Sequence, residues 1–215
     1  MKPVRDSAFV IKICGVTNEE DAQLAIEAGA NALGFNFYRG SPRFVTPARA
    51  REIVQAVETP FLKVGVFVNA SEIQFAEAAR EVTLDVVQLH GHNCPAQVSG
   101  SYRIWRSISV DSGTDWENAR AKAGSAEAYI LDAPSSDFGG SGKCFDWSLA
   151  AAFVYRKIVA GGLDATNVTD AIRTAQPWGV DACSRLEVSP GKKDGQRVRD
   201  FVNAALAARP REIQL

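Results

Sequence analysis

The sequence has few of the residues that form metal centres or disulfide frameworks. Its two histidines, His90 and His92, belong to a single His-Gly-His triplet, whereas a zinc site needs three or four ligands. No Cys-x-x-Cys pair and no cysteine-dense stretch occurs. The four cysteines are widely separated, as Cys14, Cys94, Cys144 and Cys183. We therefore predict four reduced thiols and no bound metal.

The chain also lacks a strong net charge and a long apolar run. Its 24 lysines and arginines nearly balance 25 aspartates and glutamates, and no long basic block is present. Such a chain is not held to nucleic acid by its overall field. Lys12 interrupts the first apolar stretch, which leaves no signal-peptide core, and no run is long enough to span a bilayer. We expect a cytoplasmic protein that binds neither nucleic acid nor membrane.

What the chain does have is a regular alternation of short apolar runs and amphipathic segments. The repeat is roughly 25 residues, the length of one strand plus one helix, and eight such units nearly fill the chain. Several runs are apolar on both faces, which is typical of parallel strands packed between a barrel interior and a ring of helices. The predicted strands are 9–14, 32–37, 62–68, 86–90, 103–110, 128–133, 157–160 and 179–183.

Two architectures accept this alternation: a closed barrel of eight units and an open doubly wound sheet. No Gly-x-Gly-x-x-Gly follows the first strand, so the dinucleotide-binding open sheet has no support there. The clearest predicted helices are 20–28, 47–57, 72–82, 167–175 and 194–208. Because no linker or composition break is visible, we predict an α/β fold in which residues 1–215 form a single (β/α)8 TIM barrel with parallel strands.

Residues that follow the strands of such a barrel converge at one end. Cys14 ends the first strand and is a candidate base or nucleophile, although a free cysteine is more often a small buried hydrophobe. Asp132 closes an apolar strand, where burial would raise its pKa toward that of a general acid; a loop-stabilising carboxylate fits the spacing equally well. Arg43, held in a stiff turn, suits bidentate binding of a carboxylate, although solvated surface arginines are commoner.

The loops after the seventh and eighth strands are candidates for an anion site. Barrels often cradle phosphate there with backbone N–H groups. The residues concerned are Gly161, Gly162, Ser184 and Arg185. The glycine-rich segment 138–142 resembles no P-loop, and we expect it to form a flexible lid over the barrel mouth.

Three more polar residues, Gln88, His90 and Asp181, lie at the ends of strands and are expected to shape the pocket. A neutral histidine satisfied by loop carbonyls is as compatible with His90 as a catalytic one. Lys12 is the one neighbour in sequence that could lower the pKa of Cys14, provided that its side chain faces the same way.

Short motifs in order along the chain match one known family. They are KICGVT at 12–17, ALGF at 32–35, SPR at 41–43, VGVFVN at 64–69, VQLHG at 87–91, LD at 131–132, GGSG at 139–142, FDW at 145–147, AGGL at 160–163 and PGKKD at 190–194. On these motifs the chain resembles phosphoribosylanthranilate isomerase, a TIM-barrel isomerase family of tryptophan biosynthesis, along nearly its whole length.

The resemblance implies an aldose–ketose isomerase, an intramolecular oxidoreductase that needs no cofactor. Its reaction is the Amadori rearrangement of N-(5'-phosphoribosyl)anthranilate to 1-(2-carboxyphenylamino)-1-deoxyribulose 5-phosphate. By the same resemblance, Asp132 is the general acid that protonates the furanose ring oxygen. Cys14 is then the general base that removes the proton from C2 of the iminium ion, whose positive charge acidifies that proton.

The resemblance also implies that Arg43 holds the anthranilate carboxylate and that the loops after strands seven and eight hold the phosphate. One position departs from the family pattern, which usually reads Ser-Gly before a valine and a glutamate, whereas 184–187 here reads SRLE. Arg185 therefore either strains a turn that glycine would relax or adds charge-assisted contacts to the phosphate. We favour the second interpretation.

Two alternatives remain open. A related phosphosugar barrel, such as an epimerase or the aminoaldose isomerase of histidine biosynthesis, would share the phosphate loops, but the latter is expected to use a carboxylate base at the end of the first strand. A barrel that only binds phosphosugars or a partner would need neither Cys14 nor Asp132. For the isomerase we expect a small-molecule phosphosugar as the ligand and a monomer or a homodimer as the assembly.

Overall fold

A closed barrel of eight parallel strands, paired in sequence order, forms the centre of the protein. The computed structural model describes residues 9–91, 93–95, 98, 100–134 and 143–210. The barrel strands are β1 Val10–Cys14, β2 Ala32–Asn36, β3 Leu62–Val68, β4 Val86–His90, β5 Arg103–Ser109, β6 Ala128–Asp132, β7 Lys157–Val159 and β8 Gly179–Ala182. The predicted (β/α)8 TIM barrel is confirmed.

Helices surround this barrel and begin where the sequence supplies caps. The Asn18 side chain accepts a hydrogen bond from the Asp21 backbone, and Thr46 caps a helix whose first residue is Pro47. The helices are α1 Glu19–Glu27, α2 Pro47–Ala56, α3 Glu72–Val82, α4 Trp116–Ala123, α5 Trp147–Ala151, α6 Val168–Ala175 and α7 Gly195–Ala208. None of the helices in the described ranges is long and apolar enough to cross a membrane.

Two layers of core fix the orientation of the strands. One lies inside the barrel and includes Val10, Trp105 and Ile130, while the larger one packs the outer strand faces against the helices. Because side chains alternate along a strand, Lys12 and Cys14 share the interior face with Val10. The interior therefore changes from apolar at the amino ends of the strands to polar at their carboxyl ends.

Several predicted strands are one residue too long at the carboxyl end. The predictions 103–110, 128–133 and 157–160 end at Ser109, Asp132 and Val159 instead. The reason is that side chains remain buried beyond the last strand hydrogen bonds. Val110, Ala133 and Ala160 are still buried although the backbone there forms a loop. Apolar character therefore overstates strand length at this end of the barrel.

Helix α4 and the segment that follows β8 were not predicted. Helix α4 buries none of its residues fully, so its sequence carries little apolar periodicity. Strands β9 Glu187–Ser189 and β10 Lys192–Lys193 form an antiparallel hairpin after β8 and a short 3₁₀ helix, Ser184–Leu186. The predicted lid at 138–142 lies outside the described residues.

Candidate active site

A cavity of about 510 Å³ opens at the carboxyl ends of the barrel strands. The sequence predicted ten site residues at scattered positions, and the structure brings all ten to the lining of this cavity. They are Cys14, Arg43, Gln88, His90, Asp132, Gly161, Gly162, Asp181, Ser184 and Arg185. This is the end of the barrel at which enzymes of this architecture carry their active sites.

Lys12 lies directly beneath Cys14 on the interior face of β1. Its side chain is fully buried, and Nζ donates to Asp181 Oδ2 at 2.8 Å. A Cβ placed on Gly34 would lie 2.9 Å from Cys14 Sγ and 3.0 Å from Lys12 Nζ, so both side chains fill the space above this glycine. Burial opposes the charge, but Asp181 and Cys14 hold the pKa of Lys12 above its ordinary value. Lys12 is therefore a buried cation next to the thiol.

Cys14 lies in surroundings that favour its thiolate. The Cys183 thiol donates a hydrogen bond to the Cys14 sulfur, which lowers the pKa of Cys14 well below its ordinary value. The charges of Lys12 and Lys193 lower it further, against the opposing effect of burial. The same interaction raises the pKa of Cys183, which stays a thiol. Of the two thiols, Cys14 is therefore the one that loses its proton more readily.

Asp132 has the opposite character. Burial raises its pKa from 3.8 to about 6, and the nearby Cys14 adds to the shift, while the Ala133 backbone N–H and Lys12 oppose it. Gly161 makes this position possible, because a Cβ on Gly161 would lie 2.5 Å from Asp132 Oδ1. The cavity therefore contains a carboxyl group that can carry a proton near neutral pH and a thiol that readily loses one.

Arg43 is buried in an ion-pair network and is not a solvated surface arginine. Its Nε donates to Glu187 Oε1 at 2.9 Å and its Nη2 to Glu187 Oε2 at 2.7 Å, a bidentate arrangement. Lys193 Nζ donates to the same carboxylate at 2.8 Å. Within the described residues Nη1 of Arg43 makes no hydrogen bond, and Arg43 lines the cavity. The guanidinium is fixed in place with one nitrogen left for a ligand.

The loop after β7 has the conformation of an anion cradle. Gly161 and Gly162 have positive φ angles of 83° and 57°, which glycine adopts without strain. Among the described residues, the backbone N–H groups of Gly161, Gly162 and Ser184 donate no hydrogen bond to the protein. Adjacent unpaired N–H groups of this kind favour a negatively charged ligand.

Arg185 does not strain its turn. It lies in the 3₁₀ helix, and its φ is not among the positive values found at non-glycine residues in the described part of the chain. Its Nη1 donates to Asp164 Oδ2 at 2.8 Å, and 41% of its side chain is exposed at the cavity rim. The first of the two interpretations of Arg185 is therefore wrong.

His90 is neutral. Burial and the charge of Lys12 lower its pKa to about 4. Its Nε2 accepts a hydrogen bond from Gln88 Nε2 at 2.7 Å and lies 2.9 Å from Ser107 Oγ. Gln88 Oε1 and Asp181 Oδ1 are buried without a hydrogen-bond partner in the described structure. Both residues line the cavity, so each offers an acceptor to a bound ligand.

Comparison with known proteins identifies the family. The family model described as N-(5'phosphoribosyl)anthranilate (PRA) isomerase matches residues 11–204. A protein of Solibacter usitatus (strain Ellin6076) named N-(5'-phosphoribosyl)anthranilate isomerase is 50% identical over 202 residues, which cover 93% of this chain and 98% of that protein. The chain belongs to the phosphoribosylanthranilate isomerase family.

Solved structures of phosphoribosylanthranilate isomerases share the barrel. Monomers generated from the dimeric enzyme of Thermotoga maritima superpose with a TM-score of 0.79 at 35% identity, covering 92% of this chain and 98% of that one. An isomerase in complex with reduced 1-(o-carboxyphenylamino)-1-deoxyribulose 5-phosphate superposes with a TM-score of 0.80 at 33% identity, with the same coverage. The family resemblance predicted from short motifs is thus confirmed over almost the whole chain.

Three residues that interact with Cys14 or Arg43 were not predicted as part of this isomerase site: Cys183, which lines the cavity, and Glu187 and Lys193, which lie buried behind it. A signal for Cys183 was present, because it follows Asp181 by two residues as Cys14 follows Lys12, and alternation places all four on one face. No comparable signal existed for Glu187 and Lys193, whose approach to the site depends on the unpredicted hairpin.

Proposed function

We propose that the chain catalyses the Amadori rearrangement of N-(5'-phosphoribosyl)anthranilate to 1-(2-carboxyphenylamino)-1-deoxyribulose 5-phosphate, a step of tryptophan biosynthesis. The observation that carries the proposal is that one cavity is lined by the Cys14 thiol, the Asp132 carboxyl group, the Arg43 guanidinium and a glycine loop with N–H groups that are unpaired among the described residues. The chemistry consists of proton transfers, so the proposal requires no cofactor.

The first proposed step opens the sugar ring. Asp132 donates its proton to the furanose ring oxygen, the bond from that oxygen to C1 breaks, and the anilino nitrogen forms an iminium ion with C1. A general acid works best when its pKa lies near the working pH. The raised pKa of Asp132, about 6, supports this role because it lies much closer to neutral pH than the ordinary value of 3.8.

The second proposed step removes the proton from C2. Cys14 thiolate takes this proton, and the electron pair of the broken bond forms an enolamine while the nitrogen regains its lone pair. The enolamine becomes the ketone when C1 gains a proton and the C2 hydroxyl loses one. The hydrogen bond from Cys183 and the charges of Lys12 and Lys193 support a thiolate in this position.

Two anchors position the substrate between acid and base. We propose that Arg43 binds the anthranilate carboxylate and that Gly161, Gly162 and Ser184 bind the phosphate, with Arg185 at its rim. The rigid pairing of Arg43 with Glu187 supports the first anchor, since a guanidinium that is already ordered loses little entropy on binding. Holding both ends fixes the reacting carbons, which is a large part of the rate gain available to an enzyme.

The activity is tested by following the loss of phosphoribosylanthranilate fluorescence, with the substrate made from anthranilate in a coupled system. The enzyme is produced in a host without its own isomerase, and a Cys14→Ala/Asp132→Asn double variant purified identically serves as the control. We expect a rate well above that of the control. No rate with folded protein favours a binding-only barrel. Turnover of the histidine-pathway aminoaldose alone favours the related isomerase.

We further propose that residues 1–215 act as one barrel domain, as a monomer or homodimer, in a cytoplasmic and therefore reducing compartment. The requirement for a reduced Cys14 supports this location. A single cooperative unfolding transition and sedimentation equilibrium test the domain and assembly proposals. Two separate transitions would contradict the single domain, and an assembly larger than a dimer would contradict the proposed monomer or homodimer.

A further inference from the structure

We propose that Cys14 and Cys183 form a reversible disulfide under oxidising conditions, which makes this pair of thiols an oxidative modification site that stops the isomerase. Formation of the disulfide is independent of the proposed function, whereas its effect on turnover rests on the proposed role of Cys14 as the base. None of the steps of the proposed reaction requires Cys183 to form a covalent bond.

The strand register places the two cysteines side by side. In the pairing of β1 with β8, Lys12 lies opposite Asp181 and Ile13 opposite Ala182. Continuing this register by one residue brings Cys14 opposite Cys183. Neighbouring strands are about 4.8 Å apart, which lies within the range of Cα separations of about 4.4–6.8 Å that disulfides bridge. Both side chains point to the cavity, because Lys12 and Asp181, two residues earlier, meet inside the barrel.

Lys193 confirms this proximity independently of the register. Its Nζ donates to the carbonyl oxygen of Cys14 at 2.6 Å and lies 3.5 Å from the carbonyl oxygen of Cys183. One ammonium group therefore lies close to the carbonyl oxygens of both cysteines, which places the two residues at the same height in the barrel. The same Nζ lies 3.9 Å from Cys183 Sγ.

Gly15 leaves room for the Cys183 thiol at the end of the first strand. A Cβ on Gly15 would lie 3.1 Å from Cys183 Sγ, so any larger residue at this position would crowd that thiol. Cys14 and Cys183 are each partly accessible and line the open cavity. A small oxidant can therefore reach the pair from the barrel mouth.

The two thiols differ in reactivity, and Cys14 is the one that an oxidant attacks first. The Cys14 thiolate, favoured by Lys12 and Lys193, is the nucleophile that reacts with oxidants, whereas Cys183 keeps its proton. Redox-active cysteines are typically accessible, of low pKa and close to a second, resolving cysteine. Cys14 is partly accessible and has a lowered pKa, and Cys183 lies beside it as the second cysteine.

The chemistry needs a hydroperoxide as oxidant. The Cys14 thiolate attacks one peroxide oxygen, the O–O bond breaks, and the leaving oxygen takes the electron pair and a proton from solvent; Cys14 becomes a sulfenic acid. Cys183 sulfur then attacks the Cys14 sulfur, the S–O bond breaks, and the departing hydroxide takes the Cys183 proton as water. Sulfur is oxidised and peroxide reduced. A dithiol such as dithiothreitol reverses the disulfide by two thiol–disulfide exchanges.

The test treats the reduced full-length enzyme with hydrogen peroxide and reads two quantities, disulfide connectivity by non-reducing peptide mapping and turnover in the fluorescence assay. We expect a peptide pair linked through Cys14 and Cys183, a loss of turnover in proportion to the linked fraction, and recovery in dithiothreitol. A Cys94→Ser/Cys144→Ser double variant contains only the proposed pair and should behave in the same way, relative to its own reduced activity.

The Cys183→Ser variant removes only the resolving thiol. We expect peroxide to convert its Cys14 to a sulfenic acid that dimedone traps and that oxidises further, so that dithiothreitol no longer restores its full starting activity. The proposal is overturned if no Cys14–Cys183 peptide pair forms in the wild type or if Cys183→Ser recovers as the wild type does. A linked pair without loss of turnover would instead contradict the proposed role of Cys14, and absence of turnover in the reduced enzyme would contradict the proposed function alone.

Discussion

Lys193 Nζ donates a hydrogen bond to the carbonyl oxygen of Cys14 at 2.6 Å, although 179 residues separate the two along the chain. The same ammonium group pairs with Glu187, which in turn holds the Arg43 guanidinium. The end of the first strand, the proposed base and the proposed carboxylate anchor therefore share one buried ion-pair network. A change in this network is expected to alter both the proton transfer and substrate binding.

Replacing Cys14 by alanine tests the proposed base. We expect kcat to fall by about 10²–10⁴-fold, the usual contribution of a positioned general base. The circular dichroism spectrum should be unchanged, because the side chain is small and borders a cavity. Cys94→Ala, which changes a thiol outside the cavity, is the matched control and should keep the wild-type rate. A Cys14→Ala enzyme that retains most of its kcat would end the proposal.

Asp132 is expected to set the alkaline limit of activity. The proposed acid acts only when protonated, and its pKa is about 6, so kcat/KM should decline as the pH rises above that value. In Asp132→Asn, kcat should fall by about 10²–10⁴-fold. A pH–rate profile of both enzymes checks this. A wild-type profile that stays flat between pH 5 and pH 8 would contradict the assignment, as would an undiminished rate in Asp132→Asn.

Asp132→Asn, which is expected to lower kcat, is expected to raise the free energy of unfolding. The folded-state pKa of Asp132 is raised from 3.8 to about 6, so its protonated form stabilises the fold at low pH, and this contribution is lost as the pH rises through 6. Above that pH the wild type carries a buried charge that costs on the order of 3 kcal/mol at most. Urea denaturation should therefore find Asp132→Asn more stable than the wild type at pH 8, and the difference should disappear near pH 4.

Lys12 is expected to set the pH below which kcat/KM declines. Without its charge the pKa of Cys14 rises, so the acidic limb of the kcat/KM profile of Lys12→Met should move to higher pH. Removing one partner of a buried ion pair can cost about 3–5 kcal/mol, because Asp181 is left alone. The Lys12→Met/Asp181→Asn double variant removes both charges and keeps the test possible if the single variant unfolds. An unmoved limb in a folded variant would contradict the role of Lys12.

Glu187 is predicted to act through Arg43. In Glu187→Gln a neutral amide replaces the bidentate carboxylate, so the guanidinium loses its fixed orientation. We expect KM to rise about tenfold, which corresponds to about 1.4 kcal/mol, with a smaller change in kcat. The control is Glu52→Gln, which removes an exposed ion pair with Arg49 and should leave KM unchanged. Equal KM values in the two variants would show that Glu187 does not position the anchor.

Arg185→Gly tests the rim of the phosphate site. If the guanidinium contacts the phosphate as proposed, KM should rise about tenfold, since charge-assisted hydrogen bonds contribute about 1.5–3 kcal/mol. Asp164→Asn removes the charge that pairs with Arg185 and keeps an amide oxygen as the acceptor for Thr166, so it should not raise KM. An unchanged KM in Arg185→Gly would exclude a direct contact with the phosphate.

The fold was predictable because each strand of a parallel barrel is a short apolar run and most helices bury a periodic face. Helix α4 was not predicted because it buries no residue fully and so shows little apolar periodicity. The ends of several strands were placed one residue too far because buried residues continue into the loops. The positions of Cys14 and Asp132 followed from the convergence of strand ends. The partners of these residues did not, because Lys193 and Glu187 reach the site through a hairpin whose short strands leave no apolar pattern.

The hairpin has a consequence for how the site is assembled during synthesis. A nascent chain that ends after β8 already contains Cys14, Asp132 and Arg43 but has neither Glu187 nor Lys193. In such a fragment the Arg43 guanidinium has no carboxylate to orient it, and the carbonyl of Cys14 has no ammonium donor. The reaction centre is thus completed by a segment that leaves the ribosome only after all eight barrel strands have done so.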